Sequence, residues 1–223
     1  MPHRQIVLDT ETTGLSVDEG HKIIEMGCVE IIDRKITGQT FQRYINPERE
    51  VESAALTVHG ISNEFLRDKP LFSHVSHEFM DFISGAELII HNAPFDISFI
   101  NHELKSAKQG WKAITHYSHI VDTLVLARQL HVGQRNSLDA LCKRYGIDLA
   151  KRELHGALLD AHLLARVYLA MTGGQGSFFD DLHDASAMQD DQPSFVPLKK
   201  KYQLVVLQAS EEESAEHERY FDK

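Results

Sequence analysis

"IVLDTETTG", residues 6–14, runs three aliphatic side chains directly into Asp9 and, two places on, Glu11. The stretch from residue 4 to residue 9 reads as a strand, rich in aliphatic residues and closed by turn-forming ones. Side chains alternate along a strand, so Asp9 and Glu11 project from the same side, about 7 Å apart at the backbone. Two anions held that way repel each other unless a cation lies between them. A solitary pair of this kind is the solvated end of an exposed strand more often than a metal site, so the rest of the chain decides its meaning.

Working outward, residues 23–32 and 40–45 also read as strands, and the short breaks between the first three imply antiparallel neighbours. A helical region follows around residues 53–66. "SHVSHEFMDFIS" sets Val75, Phe79, Phe82 and Ile83 at helical spacing. "ELIIHN" is a short buried strand, and "APFDISFINHELKSA" opens a helix with Pro94 in its first turn. A strand at "HIVD", a helix at "TLVLARQL" and a helix at "SLDALCKRYG" lead to the last helix of the body, "ALLDAHLLARVYLAMTGG", stopped by Gly173 and Gly174. Three antiparallel strands followed by alternating helix and strand predict an α/β fold, a mixed sheet with helices on its faces.

With 223 residues, 42% of them hydrophobic, the chain suffices for one domain of ordinary size and an appendage. No apolar run approaches the roughly 18 residues of a membrane span, and the N-terminus meets an acid too soon for a signal peptide, so a cytoplasmic protein without membrane contact is expected. Cys28 and Cys142, the only cysteines, lie in apolar patterns and suit buried thiols, with neither a disulfide framework nor a zinc site. The formal charge of −10 argues against a protein that grips a polyanion with its whole surface. Residues 180–223 carry 11 of the 33 acids and only five of the 23 bases, however, which places over half of the excess in the tail. A body whose remaining acids bind divalent cations repels nucleic acid little.

Two further acids stand out. Asp96 lies in the first turn of a helix after a buried strand, where a helix dipole alone would account for it. Asp160 sits among Leu158, Leu159, Leu163 and Leu164, where a bare carboxylate is costly to bury without a partner. Hard oxygen ligands without cysteine favour magnesium or manganese, and four carboxylates can hold two such ions. His155, five residues before Asp160, would not share its helix face and is predicted on the loop leading into the helix, placed to take a proton from water at the metal site. His162, two residues past the acid, reads as an ordinary surface histidine.

Together, "DTETTG", "HNAPFD" and "HGALLDAH" resemble the three motifs of the DEDDh exonucleases, a family named for four acids and a histidine. The resemblance implies a ribonuclease H-like fold and hydrolysis of nucleic acid from the 3′ end with two divalent ions, Mg2+ or Mn2+, releasing 5′-mononucleotides. It assigns Asp9, Glu11, Asp96 and Asp160 to the metals, with Asp9, Glu11 and Asp160 also meeting substrate, and His155 as general base. "VHGIS", residues 58–62, resembles the segment that sets a histidine, here His59, near the terminal nucleotide, and Leu15 resembles an apolar wedge under the last bases. Ala54 departs from the pattern, standing where bacterial proofreading relatives can carry a glutamate.

Residues 157–179 resemble the proofreading branch of that family, whose members serve bacterial replicative polymerases. There a glutamine-led motif binds the sliding clamp, and Gln175, Phe178 and Phe179 of "QGSFF" fit its pattern. The resemblance implies three parts: an exonuclease domain at 1–174, a linker with the clamp motif at 175–194, and a tail at 195–223 that binds the catalytic (alpha) subunit of polymerase III. The region from 175 to 195 is polar, acidic and aperiodic, which predicts a flexible C-terminal tail. The expected activity is 3′→5′ proofreading of DNA 3′ ends. An RNA- or oligonucleotide-trimming enzyme of the same chemistry, and a non-catalytic scaffold between polymerase and clamp, are the alternatives.

Overall fold

In the computed structural model, which describes residues 3–149 and 154–173, five strands form one mixed sheet. In chain order the strands and helices are β1 (Arg4–Thr12), β2 (Ile23–Ile32), β3 (Lys35–Tyr44), α1 (Ser53–His59), α2 (Asn63–Leu66), α3 (Phe72–Ile83), β4 (Glu87–Ile90), α4 (Ala93–Ser106), β5 (Ile120–Asp122), α5 (Thr123–Leu130), α6 (Leu138–Arg144) and α7 (Ala157–Thr172). The sheet order is β3-β2-β1-β4-β5. β1 is central, antiparallel to β2 and parallel to β4, and the outer pairs β2–β3 and β4–β5 are antiparallel and parallel respectively. This is the mixed sheet that the sequence predicts.

Alternation along β1 divides the core. Ile6 and Leu8 pack on one face with Phe79 and Ile83 of α3 and Phe99 and Ile100 of α4. Val7 packs on the other with Val29, Ile31 and Ile89 and with Ala161, Leu164, Ala165 and Tyr168 of α7. All three are fully buried, each contributing about 1.5–3 kcal/mol. By the same parity Asp9 and Glu11 belong to the α7 face and Thr10 to the α4 face.

β3 begins at Lys35 instead of 40: its first half is a mostly exposed, polar edge in which Ile36 is the one large apolar residue, too little to signal a strand. It is joined to β2 by a two-residue turn, with φ of 47° at Asp33 and 67° at Arg34, the left-handed conformations such a tight hairpin requires. From that turn Arg34 donates to Thr172 Oγ1 at 2.9 Å and to the Leu169 carbonyl at 2.8 Å, which fastens the last turn of α7 to the sheet. The helical region expected at 53–66 is two helices, parted at Gly60 with φ of 70°.

Both cysteines are buried and unbridged, as expected. Among the described residues, no helix is long and apolar enough to cross a membrane. Gln175, Phe178, Phe179 and the parts expected at 175–194 and 195–223 lie outside the described residues.

Candidate active site

β4 pairs with β1 only as far as Leu8, so β1 runs on past its neighbour and leaves the flank of Asp9–Thr12 open. The N-terminus of α4 fills that opening. Asp96, in its first turn and 2% exposed, accepts a hydrogen bond from Thr10 Oγ1 at 2.7 Å. Thr10 stands between Asp9 and Glu11, so the acid from α4 reaches the same strand end as the two acids of β1. Burial raises the pKa of Asp96 to about 7, against hydrogen bonds from Thr10 and the helix backbone that lower it. A carboxylate so reluctant to ionise in a dry setting is suited to a cation that restores its charge.

From the other face, α7 delivers Asp160. Ligand atoms of Glu11, His155 and Asp160 all lie within 4.8 Å of one another. Glu11 and Asp160 are buried, whereas the His155 side chain is 44% exposed, and its Nδ1 lies 3.0 Å from Asp160 Oδ2. His155 is on the loop before α7, as predicted, and its backbone N–H donates to the Val58 carbonyl at 3.1 Å. That loop lies tight against the end of α1: a Cβ on Gly60 would come within 2.7 Å of Leu154. The two carboxylates are hard oxygen donors, compatible with a divalent cation of the magnesium or manganese type, and the His155 imidazole stands beside them. The thiols add nothing to it, since burial pushes Cys28 up, with the Asp9 charge adding, and raises Cys142 to about 11.

The approach of α7 to the sheet depends on two residues that the sequence reading passed over. Gly27 pairs with Asp9 across β1–β2, and a Cβ there would lie 2.2 Å from the Leu158 backbone nitrogen. Glu25, opposite Glu11 and 1% exposed, accepts the Ala157 N–H at 3.1 Å. A charged residue inside the aliphatic run "IIEMGCVEII" was the signal available for Glu25; Thr10 offered none beyond its place in the motif.

Of the other residues expected to meet substrate, His59 lies close enough to this group to feel the charge of His155. Leu15 is 83% exposed, which excludes a core role. His59 is 5% exposed, its Nδ1 accepting the Ile61 N–H at 3.0 Å, so the ring proton resides on Nε2. Burial lowers its pKa, the Thr12 backbone opposes this in part, and the charge of His155 adds to the fall. Nε2 completes no well-formed hydrogen bond among the described residues. His162 is half-buried on α7 and its pKa is lowered by burial and by Arg166. A surface depression of about 500 Å³ beside β3 and α3, lined by Arg4, Phe41, Arg43 and Glu78 among others, contains none of the predicted residues.

A central strand that ends in paired acids, with a third acid from α7 and an exposed histidine from the loop before it close to Glu11, is an arrangement that could hold a divalent cation. The chain belongs to the exonuclease family, whose description matches residues 6–168. That family is divalent-cation dependent. Within it, the chain is 50% identical over 224 residues to the DNA polymerase III subunit epsilon of Salmonella typhimurium (strain LT2), with 98% of this chain and 92% of that protein covered. The Escherichia coli (strain K12) protein of the same name is 49% identical over the same shares of the two chains, and that of Pasteurella multocida 55% identical over 184 residues, covering 81% and 72%. Among solved structures, Exonuclease X in complex with 5′ overhanging duplex DNA aligns with a TM-score of 0.61 at 26% identity, over 77% of this chain and 93% of that one. The nuclease domain of 3′hExo, a DEDDh family member bound to rAMP, shares the fold with a TM-score of 0.62 at 18% identity, over 76% and 92%.

Proposed function

We propose that this chain is the proofreading 3′→5′ DNA exonuclease subunit of a bacterial replicative polymerase III. The observation that carries the reading is the convergence of Glu11, His155 and Asp160 within 4.8 Å, at the end of a strand that also bears Asp9 and meets Asp96 through Thr10. Asp9, Glu11, Asp96 and Asp160 would hold two divalent cations, Mg2+ or Mn2+. When bound, the cations lower the pKa of the attacking water and offset charge at the scissile phosphate.

The protein's own part is proton transfer and positioning. With Nδ1 of His155 protonated and directed at Asp160 Oδ2, 3.0 Å away, Nε2 is the basic nitrogen. It takes the proton of the water that attacks phosphorus, the bond from phosphorus to the 3′ oxygen of the preceding nucleotide breaks, that oxygen takes a proton from solvent to become the new 3′ hydroxyl, and a 5′-mononucleotide leaves. Leu15, exposed at the mouth of the loop after β1, supports the last bases, and neutral His59 offers its Nε2–H to the terminal nucleotide. Neither contact reads a base edge, so selection for a mismatch comes from the lower cost of fraying an unpaired 3′ end.

The exonuclease domain occupies 1–174, the linker 175–194 carries Gln175, Phe178 and Phe179 to the sliding clamp, and 195–223 binds the catalytic (alpha) subunit. The strong likeness along nearly the full length of the polymerase III epsilon proteins supports this arrangement. The test is digestion of a DNA primer with a mismatched 3′ end, compared with a paired end and with short RNA, with and without chelator. Rapid loss of RNA with little action on DNA, or cutting that survives chelation, would reject the reading. For the clamp, Phe178→Ala with Phe179→Ala in the full chain should abolish co-purification with the clamp and leave nuclease activity intact.

A further inference from the structure

Glu25 is a fully buried acid in an aliphatic strand, and the reaction outlined above makes no use of it. Cross-strand partners share a face of the sheet, so Glu25, opposite Glu11, points toward α7. Its Oε2 accepts the Ala157 N–H at 3.1 Å and its Oε1 accepts from Gln42 Nε2 at 2.7 Å. Ala157 is the first residue of α7, and the N-cap Gly156 has no side chain with which to bind the unpaired N–H groups of the first turn. A carboxylate from the sheet therefore supplies the missing cap, its negative charge set against the positive end of the helix.

Two residues further on, the absent Cβ of Gly27 admits the Ala157–Leu158 backbone against β2. Glu25 and Gly27 thus form a seat for one turn of helix. That turn has His155 just before it and Asp160 within it. The remainder of α7 is held independently, by Ala161, Leu164, Ala165 and Tyr168 in the core and by Arg34 at its far end. Loss of the Glu25 bond leaves the helix packed and releases its first turn.

We infer that Glu25 is a positioning residue for hydrolysis: by holding the Ala157 N–H it fixes where Asp160 and His155 stand relative to Glu11. The inference rests on the metal and base roles proposed for Asp160 and His155. The test uses the full chain with Glu25→Met, which keeps length and apolar bulk without an acceptor, and Glu25→Gln, which keeps an oxygen for Ala157. Turnover and KM on a single-stranded DNA oligonucleotide, Mn2+ affinity by calorimetry and melting temperature are measured for each. Glu25→Met should lower kcat and Mn2+ affinity by about 10- to 100-fold, the effect of removing a group that orients a metal ligand, with KM little changed. Glu25→Gln should recover most of both.

Wild-type kcat and Mn2+ affinity in Glu25→Met, whatever its melting temperature, overturn the inference, as does a Glu25→Gln variant no better than Glu25→Met. Should Glu25→Met fail to fold, Glu25→Asp replaces it, withdrawing the carboxylate by one methylene with the same fall expected. Asp160→Ala and His155→Ala are assayed beside them. If those two turn over normally, the site assignment itself is wrong; if they are dead and Glu25→Met is normal, only the role of Glu25 is lost.

Discussion

Replacing Gly27 with alanine adds one methyl group to a strand and should cripple the enzyme. The new Cβ would lie 2.2 Å from Leu158 N, 2.3 Å from Ala157 C and 2.5 Å from Ala157 O, all of them backbone atoms with no rotamer to yield. Ordinary contact begins at about 3.4 Å, so the first turn of α7 must retreat by about 1 Å, carrying Asp160 and the His155 loop with it. A misplacement of about 1 Å at a reacting centre costs on the order of 100-fold in rate. The accompanying overpacking costs about 1–3 kcal/mol, a fall of several degrees in melting temperature for a domain of this size. The assay is single-turnover release of the 3′ nucleotide from single-stranded DNA with protein in excess, which isolates chemistry from product release, together with a thermal melt. A folded Gly27→Ala protein cutting within about threefold of wild type would refute the claim that close approach of α7 sets the site.

Three further outcomes are expected. His155→Ala should lower turnover by about 10²- to 10⁴-fold with Mn2+ binding retained, and an unaltered pH–rate profile would remove His155 as the base. Thr10→Val deprives the buried Asp96 of its 2.7 Å hydroxyl donor and should cost about 1–3 kcal/mol, read as a lower melting temperature in chelator. Because burial raises Asp96 from 3.8 to about 7, the unfolded chain gives up that proton first, so cation-free protein loses stability as pH rises through this window. Melts with and without Mn2+ should accordingly show a larger stabilisation by the ion at pH 7.5 than at pH 5, and equal shifts would contradict the assignment.

The sequence disclosed those parts of the molecule in which one residue type serves one purpose. The aliphatic runs of β1, β2 and β4 and the helical spacing in α3 are local signals, and the structure has elements where they fall. The first half of β3 escaped because it is a mostly polar edge with Ile36 as its one large apolar residue, and it is defined chiefly by pairing with β2. Asp9, Glu11, Asp96 and Asp160 could be singled out because acids beside buried aliphatics are costly, and His155 because the motif around it is specific; of these the structure brings Glu11, His155 and Asp160 within 4.8 Å of one another. Thr10, Glu25 and Gly27 could not be, since each acts on a neighbour 86, 132 or 131 positions away, and only the folded sheet brings those neighbours together.

The fastening of α7 by Arg34 has a bearing on reach. Asp160 stands near one end of a rigid rod and Thr172 at the other, 12 residues or about 18 Å along the axis. Thr172 thus stands at that distance from Asp160, on a turn pinned to the sheet by two hydrogen bonds. A partner that takes hold there can swing or tow the nuclease as a whole, and the pull is borne by the hairpin and the packed rod before it disturbs the spacing of the carboxylates.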